Sequence, residues 1–298
     1  MDPLFILFGL VVGVLVGLTG IGGGSLMTPL LILAGGVPPT MAIGTDLAYG
    51  AVTKTVGGWR HLRIGTVDLG VSKWLAFGSV PGSLVGVWLV HRLHDAVGDD
   101  FDAVLLTGVA IALTIVAVAI LYRVLFDPGA ADRERDTVEL SRRVKLQAVS
   151  IGAVMGVILG MTSVGSGALI GLALILVFRL TPHRVVGTDV FHAAILLWTA
   201  ALAHGVAGNV DLVITGTLLL GSIPGVWIGT WLLPRVPAAG LRPALACVLL
   251  ASALGVLSKA GADVPPWAIV VAPLVAGALA TYVHRRHQRR RRLEPLPV

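Results

Sequence analysis

Two aspartates, one lysine and two glycine-rich runs carry the chemistry available to this sequence. Asp46 and Asp189 each follow a Gly-Thr pair, Gly44-Thr45 and Gly187-Thr188, in otherwise apolar surroundings. An ionisable group inside an apolar helix is costly and is a functional candidate by default. Such a carboxylate carries a proton or binds a cation. It repels an anion unless protonated, so beside an anion site it suits a proton-linked cycle. The competing reading is local: Gly-Thr-Asp is an unwound stretch whose side chains cap the rest of the helix. Thr45 and Thr188 either donate hydroxyls to an oxyanion or cap and back-bond within the chain. Lys54 follows Asp46 in the same apolar stretch. It balances a substrate charge, or it snorkels toward the helix end marked by Arg60, about 9 Å along the axis.

The glycine-rich runs are Gly20-Ile21-Gly22-Gly23-Gly24-Ser25 and Ser163-Val164-Gly165-Ser166-Gly167. Each breaks an apolar helix and is followed at once by a short one. The first N–H groups of that short helix have no intrahelical partner, and the macrodipole adds about half a positive charge there. Two such ends facing each other form an anion site without a basic side chain. Gly22, Gly23, Gly24, Ser25, Gly165, Ser166 and Gly167 are therefore candidate substrate-binding residues, with Thr45, Asp46, Lys54, Thr188 and Asp189. Asp46 and Asp189 are the candidates for proton coupling. Gly13 and Gly17, at i,i+4 spacing, read as helix-packing glycines. A dinucleotide-binding reading is weak because no βαβ unit surrounds the glycines. His61 and His204 read as structural, and His192 as a candidate proton relay.

These residues occur in pairs because the chain repeats itself. Residues 13–92 align with 156–235 at an offset of 143 without a gap, and 29 of the 80 positions are identical. The matches include Val67-Asp68-Leu69 with Val210-Asp211-Leu212, and Gly78-Ser79 and Pro81-Gly82 with Gly221-Ser222 and Pro224-Gly225. Lys54 breaks the pattern, since its counterpart is Leu197. Pro81 and Pro224 fall within helices, where a missing N–H favours a kink.

Composition fixes the environment of the repeats. Of 298 residues, 56% are hydrophobic and 13% charged, against about 25% charged in soluble domains. Several apolar runs reach the roughly 20 residues that cross a bilayer. Each unit reads as a first helix (about 3–19 and 144–162), a short one (about 25–33 and 168–178), and three more. These fall at about 39–59, 67–90 and 101–126 in the first unit and 182–204, 210–233 and 241–257 in the second. A further helix spans about 266–283. The short helix, some 15 Å long, cannot cross ~30 Å of hydrocarbon. A re-entrant hairpin is favoured over two short spans.

The net charge of +6 comes from loops and a C-terminal arginine run, Arg285, Arg286 and Arg289 to Arg292. That is the signature of topology, not of nucleic-acid binding. Arg133, Arg135, Arg142, Arg143 and Lys145 place the loop between units in the cytoplasm. Arg60 and Arg63 mark one loop of the first unit, whose next loop is acidic (Asp95, Asp99, Asp100, Asp102). In the second unit Arg179, Arg184, Arg235 and Arg242 mark the opposite set. Equivalent loops then lie on opposite faces, so the units are inverted, with the N-terminus outside and the C-terminus inside. The first residues lack the positive run of a signal peptide and are expected to remain in the first helix. Cys247 is alone and reads as a packing residue.

The chain resembles the sulfite exporter TauE/SafE family, also called the toluene sulfonate uptake permease family. The resemblance rests on Gly20-Ile21-Gly22-Gly23-Gly24 with Pro29, and on Gly44-Thr45. Gly65-Thr66-Val67-Asp68, Gly208-Asn209-Val210-Asp211 and Gly78-Ser79-Val80-Pro81-Gly82 complete it. It covers about residues 4–283. It implies transport of sulfur-containing anions, usually with proton linkage, and no enzymatic activity. The chain departs from the family in carrying Asp46 and Asp189 where many members have Ser, and in Lys54.

The expectation is an all-α polytopic membrane protein of two inverted-topology repeats. Each repeat is a re-entrant or broken hairpin plus three spanning helices, with one extra C-terminal helix. The divisions are residues 1–126 (first repeat), 127–144 (cytoplasmic loop), 145–258 (second repeat), 259–284 (extra helix) and 285–298 (basic cytoplasmic tail). The expected function is alternating-access transport of sulfite, sulfate or an organosulfonate across the plasma membrane. Its partners are that anion, protons and the bilayer; a homodimer is allowed for, and nucleic acid, cofactor and metal are not expected. The competing functions are a cation or metal transporter using the aspartates, and an intramembrane enzyme using them as a catalytic pair.

Overall fold

A computed structural model describes residues 3–19, 23–126, 135–167, 169–232 and 238–293. Among these, every regular element is helical. The first unit comprises α1 (Pro3–Thr19), α2 (Gly24–Leu33), α3 (Pro39–Arg63), α4 (Leu69–Val97) and α5 (Phe101–Phe126). The second comprises α6 (Arg142–Thr162), α7 (Leu169–Leu176), α8 (Pro182–Val206), α9 (Leu212–Leu232) and α10 (Ala238–Lys259). The last helix, α11 (Pro266–Leu293), does not stop before the arginine run but continues through it. Four of the described stretches are long and apolar enough to cross a bilayer; the first, Leu69–Tyr122, includes most of both α4 and α5. Large apolar side chains face outward, among them Trp227, 77% exposed, and Leu212. In water that surface would be an aggregation liability; hydrocarbon accepts it.

Helix α2 doubles back along α1. Gly23, at its start, lies against Val12 and Val16 of α1, while Gly35, just past its end, lies against Phe5. The pair is thus an antiparallel hairpin, as the length of α2 requires. Lys259, in the last turn of α10, donates to the Ile32 carbonyl at 2.7 Å and holds the end of α2 in place. Pro29 lies inside α2 and leaves one helix carbonyl without its usual N–H.

The units exchange partners. Helix α1 packs on α9, α6 on α4, α3 on α8 and α5 on α10. Lipid-embedded helices gain nothing hydrophobic by meeting each other, so close backbone approach through small residues supplies the attraction. A Cβ on Gly78 would strike the Val149 carbonyl; on Gly221 it would strike that of Ile6. On Gly9 it would strike Leu218, and on Gly152 Leu75. Each contact has its twin 143 residues away with the units interchanged. Gly13 is one of these packing glycines, pressed against Ser222. On the exposed side of the α3–α8 pair, Trp198 Nε1 donates to Thr55 Oγ1 at 2.8 Å. Those two positions are themselves equivalent, so the relation between units passes between them.

The polar hydroxyls of these apolar helices are mostly satisfied within the helix. Thr53, Thr55, Thr107, Thr114, Thr199 and Thr217 each donate to the carbonyl four residues earlier. Cys247 packs as expected, its thiol donating to the Pro273 carbonyl of α11 at 3.0 Å.

The loops gather into two groups. In one, Arg135 N–H donates to the Arg179 carbonyl (2.8 Å) and Thr181 N–H to that of Arg135 (3.1 Å). Arg184 joins it by donating to the Val67 carbonyl at 3.0 Å. In the other, Thr40, His91, Asp95, Asp102 and Asn209 line a cavity of about 350 Å³.

Candidate functional site

The Gly-Thr-Asp segments are not unwound. Helix α3 runs unbroken through Gly44–Asp46, and α8 through Gly187–Asp189. The capping role open to Asp46 and Asp189 therefore falls away, because a cap needs a helix start. The caps come from the other repeated motif. Asp68 accepts from Val71 N–H at 2.9 Å, and Asp211 from Ile214 N–H at 2.9 Å, at the starts of α4 and α9.

Thr45 and Thr188 join these two motifs across the units. Thr45 Oγ1 accepts from Asp211 N–H (3.0 Å), and Thr188 Oγ1 from Asp68 N–H (2.8 Å). Gly44 and Gly187 make the approach possible, since a Cβ there would strike the carbonyls of Asn209 and Thr66. Both threonines thus bridge the units as acceptors.

The two breaks meet. The second is turned by Ser163 (φ 58°), Gly165 (φ 122°) and Gly167 (φ 100°). The last two lie where glycine alone is at ease. Ser163 sits against Gly24, where a Cβ would come within 2.6 Å of its carbonyl oxygen. Asp46, 1% exposed, lies beside them. Its Oδ2 accepts from Thr28 Oγ1 of α2 at 2.6 Å and from Ser163 Oγ at 2.9 Å. Its Oδ1, buried, has no hydrogen-bond partner, and neither has the buried hydroxyl of Ser25.

Asp189 is placed equivalently but partnered differently. Its Oδ1 accepts from Gly167 N–H at 3.1 Å. Its Oδ2 lies 3.7 Å from Lys54 Nζ. Lys54 does not snorkel: it is 7% exposed and reaches across from α3 to α8. The ammonium makes no hydrogen bond. Ser166 is buried in the same break. Gly22, with Gly20 and Ile21, lies outside the described residues. Of the other candidates, the structure brings Gly23, Gly24, Ser25, Asp46, Lys54, Gly165, Ser166, Gly167 and Asp189 to the breaks and their carboxylates.

Two residues that hold Asp46 were not singled out from the sequence: Thr28, and Ser163, which was named only as part of the second break. Their counterparts in the other unit are Gly171 and Gly20. Departure from the repeat, which singles out Lys54, is the signal that finds these as well. A further symmetric pair has unlike chemistry: Tyr49 Oη and Ser222 Oγ are 2.7 Å apart, and at the equivalent positions His192 Nε2 and Ser79 Oγ are 3.2 Å apart. His192 Nδ1 is buried without a partner. His204 pairs with the Gly160 carbonyl (2.9 Å) and His61 with Thr66 Oγ1 (2.9 Å), the structural roles expected of helix-end histidines.

The family model for sulfite exporter TauE/SafE matches residues 5–256. The chain belongs to the TauE/SafE family. It is 39% identical over 254 residues to "Probable membrane transporter protein YjnA" of Bacillus subtilis, covering 85% of this chain and 99% of that protein. To "Probable membrane transporter protein YdhB" of the same organism it is 28% identical over 253 residues, 83% of this chain and 99% of that one. A plant relative, "Sulfite exporter TauE/SafE family protein 2" of Arabidopsis thaliana, is 31% identical over 113 residues, 38% of this chain and 24% of its own length. No solved structure matches. The protein is a multi-pass membrane transporter of the TauE/SafE type, and these relatives are named as transporters or exporters, not as enzymes.

Proposed function

We propose that this transporter carries a small sulfur-containing oxyanion, such as sulfite, sulfate or an organosulfonate, by proton-linked alternating access. The observation that carries the reading is the meeting of the two glycine breaks around Asp46, with Lys54 buried beside the second break. In secondary transporters, half-helix N-termini at such breaks commonly point at the anionic group of the substrate. A buried ammonium supplies positive charge, and the hydroxyls and amides of the breaks supply donors. The name of the matching family points to the same substrate class.

Charge balance supplies the proton. The site holds one ammonium and two carboxylates. An arriving anion adds a negative charge in a region poor in water, which is expensive. A proton taken up with it on Asp46 or Asp189 leaves the buried charge unchanged. Counterflow in proteoliposomes, run against sulfite, sulfate, thiosulfate, sulfonates and divalent metals, tests the reading. Sulfur oxyanions are expected to exchange; exchange of metals alone would sink it in favour of a cation transporter built on the aspartates.

Alternating access rests on the two repeats being inverted in the membrane, with the N-terminus outside and the C-terminus in the cytoplasm. The exchange of partners between units supports this, as does the gathering of loops. The loops expected in the cytoplasm meet around Arg135 and Arg184, and the others meet around Asp95 and Asn209. Single cysteines placed at Ile64 and Ala207 should label from opposite sides of sealed vesicles. Labelling of both from one side would end the inverted arrangement.

A further inference from the structure

The two breaks are equivalent in sequence and carry carboxylates at equivalent places, yet among the described residues only Asp189 is paired with a cation. Asp46 is held by two hydroxyls, from Thr28 and Ser163. Asp189 is held by one backbone N–H and by Lys54. The residue facing Asp46 by symmetry with Lys54 is Leu197, which offers no charge. Lys54 therefore marks the second break as the one able to hold a net negative charge. In this structure the group occupying that position is the chain's own carboxylate. Asp189 presents two oxygens to an amide and an ammonium, as one face of a sulfur oxyanion would. The contact with Lys54 is loose, 3.7 Å and without a hydrogen bond, so the ammonium retains its donors for a better-placed anion.

We propose that Asp189 is a tethered stand-in for the substrate, and that the transported anion displaces it from Lys54 and from Gly167 N–H. This rests on the anion-transport reading above and assigns the seat within it. The empty transporter is then closed by its own carboxylate. The displaced carboxylate takes up the proton that enters with the anion, so the anion and Asp189 alternate on the same two donors and no net charge is left unpaired at the second break. Asp46, held by hydroxyls and not ion-paired with Lys54, does not compete in this way. The two equivalent aspartates thus have different duties: one yields its place to the substrate, and the other stays with its hydroxyls.

Calorimetric titration of the purified full-length protein with sulfite, with sulfate and with a short organosulfonate tests this. Asp189→Asn keeps an acceptor for Gly167 N–H and removes the competing charge. It is expected to bind these anions at least about tenfold more tightly than the wild type, as removal of a competing close charge pair implies. Adding Lys54→Leu to that variant is expected to abolish the binding. Asp46→Asn is expected not to tighten it. If Asp189→Asn fails to fold, Asp189→Ser is titrated in its place. Unchanged or weaker binding in the Asp189 variant, with the wild type still binding, overturns the stand-in role and leaves anion transport standing. Binding of none of these anions by any of the proteins overturns the transport reading itself, and this inference with it.

Discussion

Replacing Lys54 by leucine is expected to cut sulfite counterflow at least ~100-fold. The substitution installs what the second unit already carries at Leu197, so a lipid-facing helix surface would tolerate it. Lys54 is not at such a surface. It is buried, and its ammonium lies 3.7 Å from a carboxylate that is buried too. Removing one partner of a buried pair leaves the other uncompensated, at a cost of about 3–5 kcal/mol. It also takes away the only side-chain cation found at the breaks among the described residues. Lys54→Arg keeps the charge but brings a longer, planar head into a space shaped for an ammonium. It should retain some flux, at a reduction of roughly tenfold, since the two cations are not interchangeable where geometry is tight. The assay is counterflow normalised to reconstituted protein, with thermal unfolding recorded on the same preparations. Flux within about twofold of wild type in Lys54→Leu would show that the pair is structural, because a lost cation of this cost predicts far more.

Valine at Gly78 or at Gly221 is expected to eliminate folded protein. Both positions press against backbone, the Val149 carbonyl in one case and the Ile6 carbonyl in the other. A side chain there cannot be accommodated by a rotamer change; two helices must separate. Overpacking typically costs 1–3 kcal/mol where neighbours can give, and here the expected cost is above that range. Because the contacts are twins with the units interchanged, the two substitutions should be about equally damaging. Gly108→Ala and Gly216→Ala, where a Cβ has open space around it, should leave yield and stability unchanged. Monodispersity on size-exclusion chromatography after detergent extraction reads the result. A folded Gly78→Val beside a lost Gly221→Val would contradict the exchanged packing.

Much of the architecture was legible before any coordinate. The offset of 143 registers the first four helices of one unit against those of the other, and Gly, Pro and Asp in register reveal it through a background of interchangeable Leu, Val and Ile. The shortness of α2 and α7 implied hairpins, and the α1–α2 contacts bear that out for the first. What the repeat could not reveal is which unit each residue faces. Thr45 and Thr188 read equally well as substrate donors or as caps. They cap nothing in their own helices: each accepts from the opposite unit, over more than a hundred residues of sequence. Intramembrane glycines are likewise ambiguous until the carbonyl they admit is known.

The site itself was half legible. The breaks, the aspartates and Lys54 carry their own signals, since charge and clustered glycine are rare at membrane depth. Thr28 and Ser163 carry none singly, because hydroxyl side chains are common in apolar helices and usually bond back to them. They stand out only as places where one unit has a hydroxyl and the other glycine. Physical asymmetry within a symmetric frame is thus the clue the sequence holds. It separates Asp46, ringed by hydroxyls, from Asp189, paired with a cation, although the repeat presents the two as the same residue.

The central claim is that a sulfur oxyanion crosses this protein with its charge balanced by a proton. The direct measurement is sulfite flux and lumenal pH recorded together in the same sealed proteoliposomes, with a sulfite gradient as the sole driving force. The account expects sulfite entry to acidify the lumen, and an imposed pH gradient to drive sulfite in the absence of a sulfite gradient. Sulfite flux that leaves lumenal pH unchanged and ignores an imposed pH gradient would contradict it, as would vesicles that move divalent metals and no anion.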